Sequence, residues 1–388
     1  MVHISQYVQS VAGGERAKHM PAKRPEGMIR LDSGTPSFPT PEHICQAAKD
    51  ALDEGLTFYA PGYGDPEFLA GACEAIRRES GGEYLPEDVF ATNGASSGIY
   101  TVMTAFLDPG DEVIIMDPTF SLYSHVARQL GTVPVLVPHD AAYHLDLGAI
   151  RAAITDKTRL ILFCNPNNPT GVVYTRDEVQ ALVGLCAEKD LLLVSDEAYD
   201  QILQPGYEHV PILSFTEHKD RTILLKSLSK TYSMTGWRVG WMIGPADLVR
   251  AAGNLQSHAT SNVSNVSQRA ALAAVAGDLT DVMAMREAFD RRRVAMSGLL
   301  RQIDGLELLE PQGAFYAYPD MSALLGREIV GRTAATTNEL AGIILEEAKV
   351  AIVPGEAFGT PGYARLSFAL GDDDLREGLT RMVDLLNG

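Results

Sequence analysis

The sequence predicts an α/β protein. Its large domain is built on a mostly parallel sheet covered by helices, and a smaller α+β domain follows. Three observations carry this reading. Short Val-, Ile- and Leu-rich runs without polar alternation recur between residues 89 and 243, as strands buried on both faces do. Helical stretches separate them, the alternation expected of parallel strands joined by crossover helices. Beyond residue 245 the pattern changes to a long Ala- and Arg-rich helical region, then to mixed strand and helix signals.

Taken in order, residues 1–40 read as irregular, with Pro21, Pro25, Pro36 and Pro39. Ile44, Ala47, Ala48, Ala51 and Leu52 make one face of a helix that opens near Pro41 and ends near Gly55. Residues 67–79 read as another helix. Val89–Thr92, Glu112–Met116, Val133–Val137, Leu160–Cys164, Leu191–Ser195, Ile223–Lys226 and Val239–Ile243 read as strands. Helices near 96–107, 119–130, 146–154 and 175–189 lie between them, and a long helical region runs through about 300. Strands at Ala314–Tyr318 and Arg365–Ala369 and a helix near 338–347 complete the chain. The expected division is an N-terminal segment 1–45 packing on the small domain, a large domain 46–285 and a small domain 286–388.

A chain of 388 residues buries a large core and needs no disulfide or metal staple. The formal charge of −18 argues against a nucleic-acid or anionic-membrane surface. Cys45, Cys73, Cys164 and Cys186 have no CxxC spacing, so neither a zinc site nor a disulfide framework is expected. No apolar run approaches the ~20 residues that span a bilayer. Glu15, Arg16 and Lys18 stand where a signal peptide needs an apolar core. A cytoplasmic protein is expected.

In open α/β sheets, ligands sit beyond the carboxyl ends of the strands. After Val89–Thr92 comes Asn93-Gly94-Ala95-Ser96-Ser97-Gly98. Small residues at a helix start let backbone N–H groups reach an anion. The same residues would also make a plain strand-to-helix turn, and neither GxGxxG nor a P-loop is present. After Leu160–Cys164 comes Asn165-Pro166-Asn167-Asn168-Pro169-Thr170-Gly171, a fixed backbone path that aims Asn168. After Leu191–Ser195 comes Asp196-Glu197-Ala198-Tyr199. An acid there is a helix cap or a ligand, and no His/Cys/carboxylate cluster suggests a metal. After Ile223–Lys226 comes Ser227-Leu228-Ser229-Lys230-Thr231-Tyr232-Ser233-Met234-Thr235-Gly236-Trp237-Arg238-Val239-Gly240. Lys230 is either a solvated charge or, following a buried strand, an amine in the ligand cleft.

Together these pieces suit pyridoxal 5′-phosphate: an amine for a Schiff base, a carboxylate for the pyridine nitrogen, and a small-residue helix start with an arginine for the phosphate. With its Asn-Pro-Asn-Asn-Pro-Thr-Gly, Ser-Asp-Glu-Ala-Tyr and Ser-Leu-Ser-Lys-Thr-Tyr-Ser-Met-Thr-Gly-Trp-Arg-Val-Gly segments in order, the chain resembles the class I/II aminotransferases of fold type I over essentially its whole length.

The resemblance implies roles. Lys230 would be the Schiff-base lysine and the acid/base of proton transfer. Asp196 would face the pyridine nitrogen. Tyr199 and Asn168 would contact the cofactor's 3′ oxygen. Ala95, Ser96, Ser227 and Arg238 would hold the phosphate. Phe120 would stack on the ring, although a core phenylalanine reads the same way. Arg365 would grip the substrate α-carboxylate, a strand-edge salt bridge being the bland alternative. Gly34 would line the substrate side. Tyr59 would reach the partner's phosphate, implying a homodimer with shared active sites.

The resulting expectation is an aminotransferase moving an amino group between an L-amino acid and a 2-oxo acid. Two alternatives stand beside it: a C–S lyase-like enzyme on the same fold, and a non-catalytic ligand sensor. The resemblance implies that aspartate-preferring members carry a cation at the position of Ser96 or in the stretch matching Ser257-His258-Ala259-Thr260-Ser261. Here neither is basic, although His258 lies close, so a neutral side chain is expected to be preferred over aspartate. Lys18, Lys23 and Arg24 would supply that charge only if the leader covers the cleft.

Overall fold

The computed structural model describes residues 4, 5, 7 and 26–388. Its centre is a seven-stranded sheet of β2 (Val89–Thr92), β3 (Glu112–Asp117), β4 (Val133–Pro138), β5 (Thr158–Cys164), β6 (Leu192–Asp196), β7 (Thr222–Ser227) and β8 (Gly240–Ile243). The order is β2-β8-β7-β6-β5-β3-β4. The pairs β7–β6, β6–β5, β5–β3 and β3–β4 are parallel, and β8 runs antiparallel to both its neighbours. Val113, Ile114, Leu160, Leu162, Leu193, Val194, Ile223 and Leu225 are all buried. Helices cover both faces, which is why these strands lack polar alternation.

The helices of this part are α1 (Glu42–Asp53), α2 (Pro66–Ser80), α3 (Ala95–Phe106), α4 (Leu122–Gln129), α5 (Leu147–Ala153), α6 (Arg176–Lys189) and the one-turn α7 (Leu228–Thr231). Local chemistry sets their ends. Asp65 accepts from the Glu67 and Phe68 amides ahead of Pro66, and Gly81 closes α2 at φ 71°. Thr175 and Glu178 form a reciprocal capping box on α6. The helix expected near 119–130 begins only at Leu122. On α1, Ile44, Ala48 and Ala51 are buried, but Leu52 lies outside the apolar face and is exposed.

The helical region expected through about 300 is three helices: α8 (Ala246–Ala259), α9 (Asn265–Ala276) and α10 (Thr280–Leu300). Ser261 at φ 62° breaks the first from the second, and Ser264 caps α9 through the Ser267 amide. The boundary read at 285/286 falls inside α10, which runs unbroken through it.

A smaller antiparallel sheet, ordered β13-β14-β9, joins β9 (Tyr316–Ala317), β13 (Val353–Pro354) and β14 (Ala364–Ser367). β9 is shorter than the run expected from Ala314, which sits at φ 55°. A hairpin of β10 (Glu328–Ile329) and β11 (Arg332–Thr333), α11 (Thr337–Ala348), β12 (Val350–Ala351) and α12 (Asp372–Asn387) complete this part. Within the leader, β1 (Ile29–Arg30) pairs in parallel with β12. Ile29 presses on Gly378 of α12, where a Cβ would stand 2.8 Å from its Cγ2.

Among the described residues no helix is long and apolar enough to cross a membrane. No cluster of His, Cys, Asp or Glu among them is arranged to hold a metal. All four cysteines are free thiols.

Candidate active site

One cavity lies at the carboxyl ends of the parallel strands. Its lining includes Gly34, Ala95, Ser96, Phe120, Asn168, Asp196, Tyr199, Ser227, Lys230, Arg238 and Arg365. Tyr59 is outside it, 87% exposed beside Phe58 at 84%.

Asp196 ends β6 and is buried. Tyr123 Oη donates to its Oδ2 at 2.9 Å and the Ala198 amide to its Oδ1 at 3.2 Å. Burial dominates and pushes the carboxyl up to about 6, against those two hydrogen bonds and nearby Lys230. The neighbouring Glu197 points away, as strand alternation requires. It is tied to His209 at 2.8 Å, Ser195 Oγ at 2.9 Å and the Ile212 amide at 2.9 Å.

Ser227 ends β7 and caps α7, accepting from the Ser229 amide at 3.2 Å. That turn brings Lys230 into the cavity, its Nζ donating to the Gly34 carbonyl at 2.5 Å. Lys226, four residues earlier, is enclosed by Glu79 at 2.6 Å and Asp200 at 2.5 Å.

The opposite end is an anion cup. Gly94 precedes α3 at φ 78°, and a Cβ there would meet Arg238 Nη2 at 2.9 Å. Only glycine permits this approach together with that backbone. Arg238, itself at φ 56°, donates to the Asn93 carbonyl at 3.1 Å and the Thr235 carbonyl at 3.0 Å. The α3 amino terminus at Ala95 and Ser96 adds unpaired N–H groups and a favourable dipole. Ser227, Ser229 and Thr235 complete the cup. A phosphate group fits this donor set.

Arg365, on β14, is buried. Nη1 donates to Asn168 Oδ1 at 3.0 Å and Nη2 to the Asp32 carbonyl at 3.1 Å. Its Nε is buried with no hydrogen-bond partner among the described residues. The guanidinium lies 4.3 Å from the Tyr316 ring centroid and 5.2 Å from that of Phe358. No carboxylate among the described residues pairs with it, so no strand-edge salt bridge is made there, and the guanidinium can receive an anion. Tyr199 Oη meets Tyr316 Oη at 2.9 Å, and burial drives the Tyr199 phenol well above its ordinary range.

Tyr123, Cys164, Ala198, Ser229, Thr235 and Tyr316 also line the cavity and were missed by sequence reasoning; the two tyrosines are the ones whose hydroxyls bond predicted site residues. Tyr123 stands three residues beyond Phe120, just inside α4, and their ring centroids lie 5.8 Å apart. Tyr316 lies in a predicted strand, but only the pairing of Tyr316 with Ser367 sets it beside Arg365.

The arrangement therefore holds an amine, a buried carboxylate and an anion cup at one end, with an arginine facing the other. The sequence profile described as aminotransferase class I and II matches residues 26–382. An aspartate aminotransferase from Streptomyces avermitilis is 48% identical, the match covering 93% of this chain and 89% of the relative. An aspartate/prephenate aminotransferase from Cereibacter sphaeroides is 37% identical over 96% of this chain and 94% of its own. The Thermus thermophilus aspartate aminotransferase solved with maleate has a TM-score of 0.89 and 34% identity, covering 100% of both chains. The chain belongs to the aminotransferase class I and II family and is an aminotransferase.

Proposed function

We propose that the chain transfers the amino group of aspartate to a 2-oxo acid, using pyridoxal 5′-phosphate held on Lys230. The observation supporting the cofactor is the setting of Lys230 Nζ among Asp196, the Arg238 cup and Arg365 in one cavity. When bound, the cofactor supplies the electron sink for charge developed at the substrate Cα. Arg238, Ser227, Ala95 and Ser96 hold its phosphate. Asp196 keeps a proton on the ring nitrogen, Phe120 covers the ring face, and Tyr199 and Asn168 contact the 3′ oxygen. Arg365 and the Gly34 backbone hold the substrate α-carboxylate. Lys230 would take the proton from the substrate Cα and deliver it to the cofactor's C4′, and its amine must be neutral to accept that proton.

Aspartate as donor is supported by the names of the relatives and by maleate, a dicarboxylate, in the Thermus thermophilus structure. The neutral-donor reading also has an observation behind it. The cations lining the cavity are Lys230, Arg238 and Arg365, and each already has a role. Lys18, Lys23 and Arg24 lie outside the described residues. Steady-state comparison of aspartate with phenylalanine, alanine and methionine separates the two. A specificity constant for aspartate below any of the three sinks the aspartate reading.

The same proposal includes a cytoplasmic homodimer in which Tyr59 reaches the partner's phosphate, supported by the exposure of Phe58 and Tyr59. It also includes the division at 45/46 and 285/286. Sedimentation at assay concentration tests the dimer, and a fully active monomer contradicts it.

A further inference from the structure

We propose that Tyr316 is a positioning residue with two separable actions: its hydroxyl donates to Tyr199, and its ring supports Arg365. This rests on the cofactor reading above. Tyr316 is 1% exposed and Tyr199 5%, so neither phenol has water as an alternative partner. Their oxygens are 2.9 Å apart, and one of them must donate.

Arg365 decides which. Its guanidinium sits 4.3 Å from the Tyr316 ring centroid, because Tyr316 pairs with Ser367 and Arg365 projects two residues away on the same face of β14. A cation on the ring face draws electron density from it and makes the attached O–H the better donor. The Tyr316 proton therefore goes to Tyr199, and the Tyr199 proton is left to point elsewhere, toward the cofactor's 3′ oxygen. Donors in such a chain strengthen one another. Gly34 closes the remaining side: a Cβ there would lie 2.7 Å from Tyr316 Oη. The hydroxyl is thus confined between Gly34 and Tyr199.

The two actions give different signatures. Tyr199 draws charge from the 3′ oxygen, so the Lys230-linked chromophore releases its proton at lower pH. Tyr316→Phe removes the donor behind Tyr199 but keeps the ring under Arg365. One neutral hydrogen bond corresponds to a rise in the chromophore's titration midpoint of about 0.5–1 pH unit. The KM for the amino acid should stay within about twofold. Tyr316→Leu removes the ring as well, and KM should rise roughly tenfold with the loss of the cation–π contact.

The experiment is an absorbance titration of the cofactor-loaded protein and both variants without substrate, followed by steady-state kinetics. A raised midpoint in Tyr316→Phe with KM held supports the assignment. An unchanged or lowered midpoint in that variant, with a normal parent titration, overturns it and leaves the cofactor reading intact. A parent protein with no titrating band overturns the cofactor reading and this inference together.

Discussion

Asp196 is a carboxylate whose electrostatic cost should be measurable without any catalysis. In the protein free of cofactor its pKa is pushed up to about 6, with burial as the leading cause. An unfolded aspartate titrates near 3.9. Between those two values the folded chain keeps a proton that the unfolded chain has released. Stability from this group is therefore present at low pH and is lost as pH rises through the window. About two pKa units correspond to roughly 3 kcal/mol. Asp196→Asn removes the ionisation while its side-chain oxygen still accepts from Tyr123. Denaturant unfolding of both cofactor-free proteins should show the variant gaining on its parent by about 2–3 kcal/mol between pH 4 and pH 8. In cofactor-loaded protein the same change should nearly abolish turnover, since a neutral amide cannot hold a proton on the ring nitrogen. A stability difference that stays flat with pH would refute the desolvated-carboxylate argument. Unchanged turnover would reduce Asp196 to a structural residue.

Other outcomes follow from the same geometry. Borohydride reduction and peptide mapping should find the phosphopyridoxyl group on Lys230, and Lys230→Ala should have no turnover; an adduct on Lys226, enclosed by Glu79 and Asp200, would sink the assignment. Lys226→Met should cost about 3–5 kcal/mol in denaturant unfolding, because it strands a buried Asp200 carboxylate; a loss below about 1 kcal/mol would show that water reaches the cluster. Gly94→Ala forces a side chain onto a positive φ and against Arg238, so cofactor affinity measured by titration should fall roughly tenfold or more. Retained affinity there would mean that the cup does not hold the phosphate.

What was legible in the sequence follows physical rules. The buried strands announce themselves as unbroken apolar runs, and residues just past their carboxyl ends are the cavity residues: Asn168 after β5, Asp196 at the end of β6, Lys230 after β7. Less legible was anything set by a partner distant in the chain. Tyr316 looks like one more core aromatic until its pairing with β14 is known. The breaks between α8, α9 and α10 depend on single residues such as Ser261, whose left-handed backbone no periodicity reports. Leu52 continues the apolar spacing of α1 in sequence, yet among the described residues it stays more than half exposed. The donor's distal group is the least legible feature, because the candidate cations sit in the leader rather than behind a strand.

The leader's attachments have a consequence for how the molecule is made. β1 pairs with β12, the Asp32 carbonyl accepts from Arg365, and the Ser37 amide donates to the Ala369 carbonyl. Each contact joins a residue between 29 and 37 to one between 350 and 369. A ribosome reading from the amino terminus supplies all seven central strands by Ile243, long before those partners exist. Through that interval the leader has only its large-domain contacts, such as Thr40 Oγ1 with the Ser233 carbonyl at 2.8 Å and with Trp237 Nε1 at 3.0 Å, and Lys230 has its strand but not its α-carboxylate counterpart. The nascent chain should therefore acquire a protected central sheet well before it can recognise an amino acid. Release-stalled chains ending near residue 300 should resist protease through the sheet while being cut between residues 26 and 37 faster than the full-length chain. Competence then arrives abruptly, with the last few dozen residues.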